Sequence, residues 1–537
     1  MAKKNELTYL QSPLPEGRKY YKSTKLSFSG LNKRHTLDTG VLSFERNIST
    51  VEAPYLTPSP RPRVIDFHND ATYLTILQMF GFDDFLVVLY KMGDSYSDCK
   101  NSNIKIDYVD KEGVFATGEL DSTEHIARSV VQFNVYNKND EGRIDVLTGT
   151  YTKKLLIFPD KKSVDFNVER NHETPTALTP ALFDIAPKLK YATVHLSRVF
   201  GVDDDRVYAS AFNDYANWNL DTAEEYNESN AWCSPAQSNV RADSNFTGIT
   251  TYQNHVVCFK RNFMHELYNT KNPFRIQDLY KIGTIDNRTI QEVNGRLIFV
   301  SDDNVMMYTG SMPSSISYNL DISRFRASDK GKSIVSGTDG RNYYLFTMVT
   351  NGLYGNFFVY DTLIGEWSER SIDFPVNNED DTCAWVDITS FAYNSEGMYA
   401  SADTSDGTRN RIYKLDTTDY SGHSWAFETD LITNNTVDIK HIKKLQMLGD
   451  FGKGDDDTCD LDVYILYDDE KFNAKTSHKV YSRTALEGKH PIRVKPRNTA
   501  HYGFKLHFEG VGYAKLYELE IFTEQGGDLY KGGDLYV

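Results

Sequence analysis

Five segments in the middle of the chain repeat one plan. Each has a short apolar or aromatic run, a turn rich in Asp, Asn or Gly, and a second run ending on an aromatic. They are "RVYASAFNDYANW" from Arg206, "HVVCFKRNFMHELYN" from His255, "RLIFVSDDNVMMYTG" from Arg296, "NYYLFTMVTNGLYGNFFVYDTLIGEW" from Asn342 and "GMYASADTSDGTRNRIYKLD" from Gly397. With Val207, Val256, Leu297, Tyr343 and Met398 as equivalent positions, the separations are 49, 41, 46 and 55 residues. A loose period of about 40–50 residues with hairpins inside it is the pattern of propeller blades, whose faces are buried only against their neighbours. The turns have the chemistry this needs. "TDGR" at 338–341 and "SDGT" at 405–408 put Gly after Asp, where a tight turn wants positive φ. Trp218, Trp367 and Trp425 fall near the ends of units, where a large ring can wedge between radial sheets. The stretch "NFFVYDTLIGEWSER" at 356–370 then reads as one member of a scaffold series, not as part of a catalytic cleft.

Composition supports an all-β chain: 35 Tyr and 30 Phe stand against 5 Trp, and such rings lie well on a pleated, half-buried surface. Residues 64–170 hold further strand-like runs, "DFLVVLYKM", "SVVQFNVYN" and "KKLLIFPDKKSVDFNV", expected to add blades. "ETPTALTPALFDIAPKL" from Glu173 is the best candidate for a helix or linker. Beyond Trp425 the spacing changes. The run Gly503-Phe504-Lys505-Leu506-His507-Phe508 alternates with period two, which predicts a strand with one face buried, in a separate antiparallel sandwich. The tail repeats GGDLY at 526–530 and 532–536. The expected organisation is an extended basic arm (1–45), a β-propeller (46–430), a C-terminal β-sandwich (431–525) and a flexible Gly-rich tail (526–537).

The net charge of −16 is unevenly spread. Lys3, Lys4, Arg18, Lys19, Lys22, Lys25, Lys33 and Arg34 face only Glu6 and Glu16 in the first 35 residues, so the arm is about +6 and the remainder about −22. That balance argues against a nucleic-acid clamp over the whole surface, and suggests a mobile terminus or a tether to an acidic neighbour. Cys99, Cys233, Cys258, Cys383 and Cys459 are odd in number and widely spaced, which predicts free, buried thiols in a reducing cytoplasm. The first residues carry no apolar signal-peptide core, and no run is long enough to span a membrane.

The search for chemistry leaves no catalytic, cofactor-binding or metal-ligating residue assigned. "HELYN" at His265 opens like a zinc-protease motif, but Asn269 stands where the second His belongs. No phosphate-binding loop or nucleophile elbow is found. Gly510-Val511-Gly512 lies inside an apparent hairpin. The clusters Asp203-Asp204-Asp205, Glu379-Asp380-Asp381 and Asp455-Asp456-Asp457 read as solvated turns before they read as glycosidase carboxylates or calcium ligands.

The front of the chain adds a kinship. The span 28–64 carries Gly30-Leu31-Asn32, Gly40, Asn47, Pro54-Tyr55-Leu56-Thr57-Pro58 and Arg61-Pro62-Arg63 in order. It resembles the opening of phage tail nozzle, or packaged-DNA stabilisation, proteins. "SRVFGVDDDRVYASAFNDYANW" from Ser197 and "YQNHVVCFKRNFMHELYN" from Tyr252 are similar to that group too. The resemblance implies a non-enzymatic β-propeller virion protein of the tail, assembled in the bacterial cytoplasm. It implies a ring, commonly a hexamer, below the portal and adaptor, which continues the DNA channel and retains the packaged genome. Its partners would be copies of itself, portal and adaptor proteins, other tail components and double-stranded DNA in passage. Acids lining the channel would keep DNA from adhering. The alternative is a tail propeller that binds or degrades a host-surface glycan.

Overall fold

A computed structural model describes residues 21–26, 31, 42–68, 71–137, 149–220, 227–234, 245–320, 334–348, 355–378, 382–404, 409–433, 440–453, 458–468, 471–475, 477–497 and 501–525. Lys3, Lys4, Arg18, Lys19, Lys33, Arg34, the "SDGT" turn, Glu379-Asp380-Asp381, Asp455-Asp456-Asp457 and the GGDLY tail lie outside them. The regular structure of the described chain is almost entirely antiparallel strand, with one short α-helix, Tyr96–Asn101, capped by Ser95.

Seven four- or five-stranded sheets follow one another along the chain. The first is built on Tyr73–Phe82 to Gly113–Glu119 and the second on Ser129–Tyr136 to Lys162–Asp165. The third runs from Tyr191–His195 to Trp232–Cys233 and the fourth from Phe246–Tyr252 to Arg275–Tyr280. The fifth runs from Gln291–Val293 to Ser314–Ser315, the sixth from Ile334–Thr338 to Glu366–Arg370, and the seventh from Asp373–Pro375 to Asn410–Lys414.

Why these strands read as apolar runs, not as alternations, follows from where their two faces go. In His255–Lys260, Val256 and Cys258 enter the cluster shared with the third sheet, while Val257 and Phe259 enter the one shared with the fifth. The same holds around the series: apolar clusters join sheets one and two, two and three, and so on to six and seven. A further cluster joins the seventh back to the first, through Leu74, Ile76, Met79, Ala392, Tyr399 and Ile412. Each sheet is buried on both faces, so no face is left to be polar.

The equivalences read from sequence hold for four positions. Val256, Leu297, Tyr343 and Met398 each sit second in the strand His255–Lys260, Arg296–Val300, Asn342–Met348 or Gly397–Thr404. Val207 does not; it lies one strand later in its sheet, and the matching residue is Val199 in Arg198–Val202. The fault lies in the third sheet's two consecutive short apolar runs, either of which satisfies the pattern. Trp218 and Trp367 do pack between sheets. Trp425 belongs instead to the terminal core, its Nε1 donating to the Gly512 carbonyl at 2.8 Å. Residues 173–189 form no helix; Thr176–Ala177 pairs with the first sheet and Ala181–Leu182 with the second, so the segment is a linker.

The ends of the chain meet. Arg63–Ile65 is the outer strand of the seventh sheet. Tyr21–Leu26 pairs with Ala514–Gln525, and Leu42–Arg46 with Ser424–Thr429. Both early strands thus complete the terminal sandwich, a four-stranded and a five-stranded sheet around Leu42, Trp425, Phe427, Leu445, Val463, Phe508 and Leu519. Its strands start at Ser424, before the boundary read at 431, and take in part of the segment read as an arm.

Candidate functional site

Strands and turns from six of the seven sheets, all but the fourth, border a cavity of about 450 Å³. It is lined from the first sheet by Gln78–Phe82 and from the second by 127–131. The third sheet contributes Tyr191, the turn before the fifth Asn287 and Arg288, the sixth Ser336 and Thr338, and the seventh Thr389 and Ser390.

Side chains tie neighbouring sheets together around it. The Met79 N–H donates to Ser390 Oγ at 3.0 Å, joining first to seventh, and the Arg128 N–H donates to Gln78 Oε1, joining second to first. Thr193 and Thr251 hydroxyls meet at 3.0 Å between third and fourth. The Ile249 N–H donates to Asn287 Oδ1 at 3.0 Å, and Ser336 Oγ donates to the Arg288 carbonyl at 2.9 Å. Small residues permit the approach. A Cβ on Gly81 would run into the Tyr393 carbonyl, and one on Gly337 into Phe391.

The cavity's charges are already spent. Arg128 is buried and its guanidinium makes five hydrogen bonds, to both oxygens of Asp160, to the carbonyls of Ile126 and Glu124, and to Ser122 Oγ. Arg288 grips Asp286 with Nε at 3.1 Å and a terminal nitrogen at 2.8 Å. Burial pulls the Arg288 guanidinium down, but the bonds to Asp286 outweigh it and hold the group above its ordinary value. Burial, then the Asp286 charge, pushes the Tyr191 phenol up to about 12, so it stays a neutral donor.

None of the lining residues is Asp or Glu. The cavity therefore cannot supply the paired carboxylates of glycoside hydrolysis. It offers hydroxyls, amides and two engaged guanidinium groups.

The residues singled out in the sequence are dispersed. Asp203 Oδ1 accepts from the Asp205 and Arg206 N–H groups at 2.8 and 2.7 Å, shaping its own turn. Asp204 pairs with Lys190, and Asp205 is solvated at the same tip. His265 and Glu266 lie on the strand Phe263–Tyr268, where neighbours point to opposite faces, and cannot form a helical metal motif. Gly510 and Gly512 flank a hairpin turn; Gly512 has φ +92°, and a Cβ on Gly510 would strike Trp425. None of the five cysteines is in a disulfide; Cys99, Cys258 and Cys459 are buried and Cys383 is exposed. No helix among the described residues is long and apolar enough to cross a membrane. Among those residues, no group of three His, Cys, Asp or Glu is set to hold a metal ion.

Comparison with known proteins finds no matching family model and no curated relative. Solved structures give faint likenesses. Raptor from Chaetomium thermophilum has a TM-score of 0.39 at 9% identity, over 67% of this chain and 30% of that one. A Mycobacterium tuberculosis puromycin-hydrolyzing peptidase has 0.33 at 10%, over 69% and 61%. A Bacillus subtilis family 43 arabinoxylan arabinofuranohydrolase has 0.19 at 8%, over 82% and 94%. The chain spans less than two thirds of the first two proteins' lengths. At such scores these likenesses carry no assignment.

Proposed function

We propose that the chain is a non-enzymatic building block of a bacteriophage tail. In this reading the seven sheets close as a seven-bladed β-propeller, and copies of the chain form a nozzle-like ring, a hexamer, below the portal and adaptor. The ring continues the DNA channel and holds the packaged genome until ejection.

The observation that carries the reading is the joining of the chain's ends. Arg63–Ile65 fastens the front of the chain to the seventh sheet, while Tyr21–Leu26 and Leu42–Arg46 fasten it to the terminal sandwich. Neither unit can open without breaking a ladder of backbone hydrogen bonds made by the far end of the sequence. That suits a part that bears load. The apolar cluster between seventh and first sheets supports closure. The front-end resemblance, and a central cavity whose charges serve cohesion, support a structural role.

Quantitative mass spectrometry and immunogold labelling of purified particles test this. The expected result is a small, fixed copy number at a single vertex. Absence from particles, or labelling spread over the shell, overturns the proposal.

A further inference from the structure

The alternation at 503–508 predicts solvent behind the apolar face, yet Lys505 and His507 are buried, at 6% and 2% exposure. The register shows what surrounds them. Across the five-stranded sheet one row runs Phe44, Glu428, His507, Tyr464, and the next runs Arg46, Ala426, Glu509, Asp462. Every position carries a large or charged side chain except Ala426. Its methyl group leaves a depression of about 230 Å³, bounded by Phe44, Arg46, Glu428, Phe472, His507 and Glu509.

The groups around this depression are incompletely satisfied. The His507 ring stacks on Phe472 with centroids 3.6 Å apart. Its nitrogens stand 3.4 Å from Glu428 and 3.5 Å from Glu509, contacts of ion-pair length without a well-formed hydrogen bond. The Arg46 Nε is closed to solvent and has no hydrogen-bond partner among the described residues. Burial pushes the Glu428 carboxyl up, but His507 and Lys505 outweigh it and keep the group ionised. Buried polar groups normally have partners, so a ligand is the natural completion.

The chemistry selects its class. An anion would face Glu428 and Glu509, and a cation would face Arg46. A neutral polyhydroxylated ring meets neither penalty, because each hydroxyl both donates to a carboxylate and accepts from a guanidinium. Its C–H face would lie on Phe44 or Phe472. The volume falls below the roughly 300 Å³ at which drug-sized sites begin, and suits a single ring. We propose that this depression binds one neutral pyranose residue of a surface glycan. The site would make the sandwich a sugar-recognition module, independently of the tail-ring reading.

Calorimetric titration of the full chain with the methyl glycosides of glucose, galactose, mannose and N-acetylglucosamine tests it. At least one should bind saturably in the millimolar range, as expected of so small a ligand. Ala426→Leu fills the depression and should abolish that binding. Arg46→Ala and Glu509→Gln, at the rim, should each weaken it about tenfold or more while leaving the melting temperature unchanged. These two carry the test if Ala426→Leu fails to fold. Absence of saturable binding to all four glycosides overturns the proposal, as does undiminished binding in both rim variants.

Discussion

The Arg128 guanidinium is closed to solvent and holds Asp160 together with two backbone carbonyls. Arg128→Ala strands all three, and the expected loss is about 3–5 kcal/mol in denaturant unfolding. Lys154→Ala, which removes an exposed pair with Asp165, should cost less than about 1 kcal/mol. Titration separates two half-buried groups of opposite sign. Burial, reinforced by Arg370, Arg61 and Arg46, pulls the His423 imidazole down to about 4 from 6.5. The unfolded chain takes up this proton first, so stability falls as pH drops from 6.5 to 4, by up to about 3 kcal/mol. His423→Gln should flatten that slope in unfolding curves at pH 7.5 and pH 5. Burial pushes the Glu366 carboxyl up to about 7 from 4.5, so its contribution is lost as pH rises across that window, and Glu366→Gln should stabilise the protein at pH 8. None of this was legible in the sequence, where Arg128, His423 and Glu366 look like any surface residue. Their burial depends on partners from other strands.

At the scale of elements, the repeating hairpins were legible because both faces of each strand are apolar and the turn residues are specific. Gly340 shows the second point: its φ is +88°, and its N–H is held by Thr338 Oγ1 at 2.9 Å. Strand equivalence within the third sheet was not legible, since Arg198–Val202 and Val207–Ala209 are both short and apolar. Nor could alternation reveal that the polar face of Phe504–Val511 is covered, because a period of two says which residues share a face and not what packs on it. Two substitutions test the element contacts. Gly81→Ala, at the seam of first and seventh sheets, forces the backbone at Tyr393 to move. It should lower the melting temperature and raise hydrogen exchange along Cys383–Asn394. Leu42→Ala, in the early strand that completes the terminal core, should cost about 2–5 kcal/mol. A freely solvated arm would show no change.

Across the whole molecule, the seven-sheet series and the sandwich are linked twice, by the continuous chain before Ser424 and by the front strands that return to it. The sequence announced the two units through their different spacing. It could not announce the clasp, because pairing Tyr21 with Glu524 joins opposite ends of the chain and leaves no local signal. Removing residues 1–49 should therefore expose the terminal core and lead to aggregation, while the seven-sheet series keeps its far-ultraviolet signature. The proposal that this chain builds the genome-retaining ring of a phage tail is tested most directly by electron microscopy of particles from an infection lacking only this gene. The account predicts empty or leaking heads without tails. Full, normally tailed particles would contradict it.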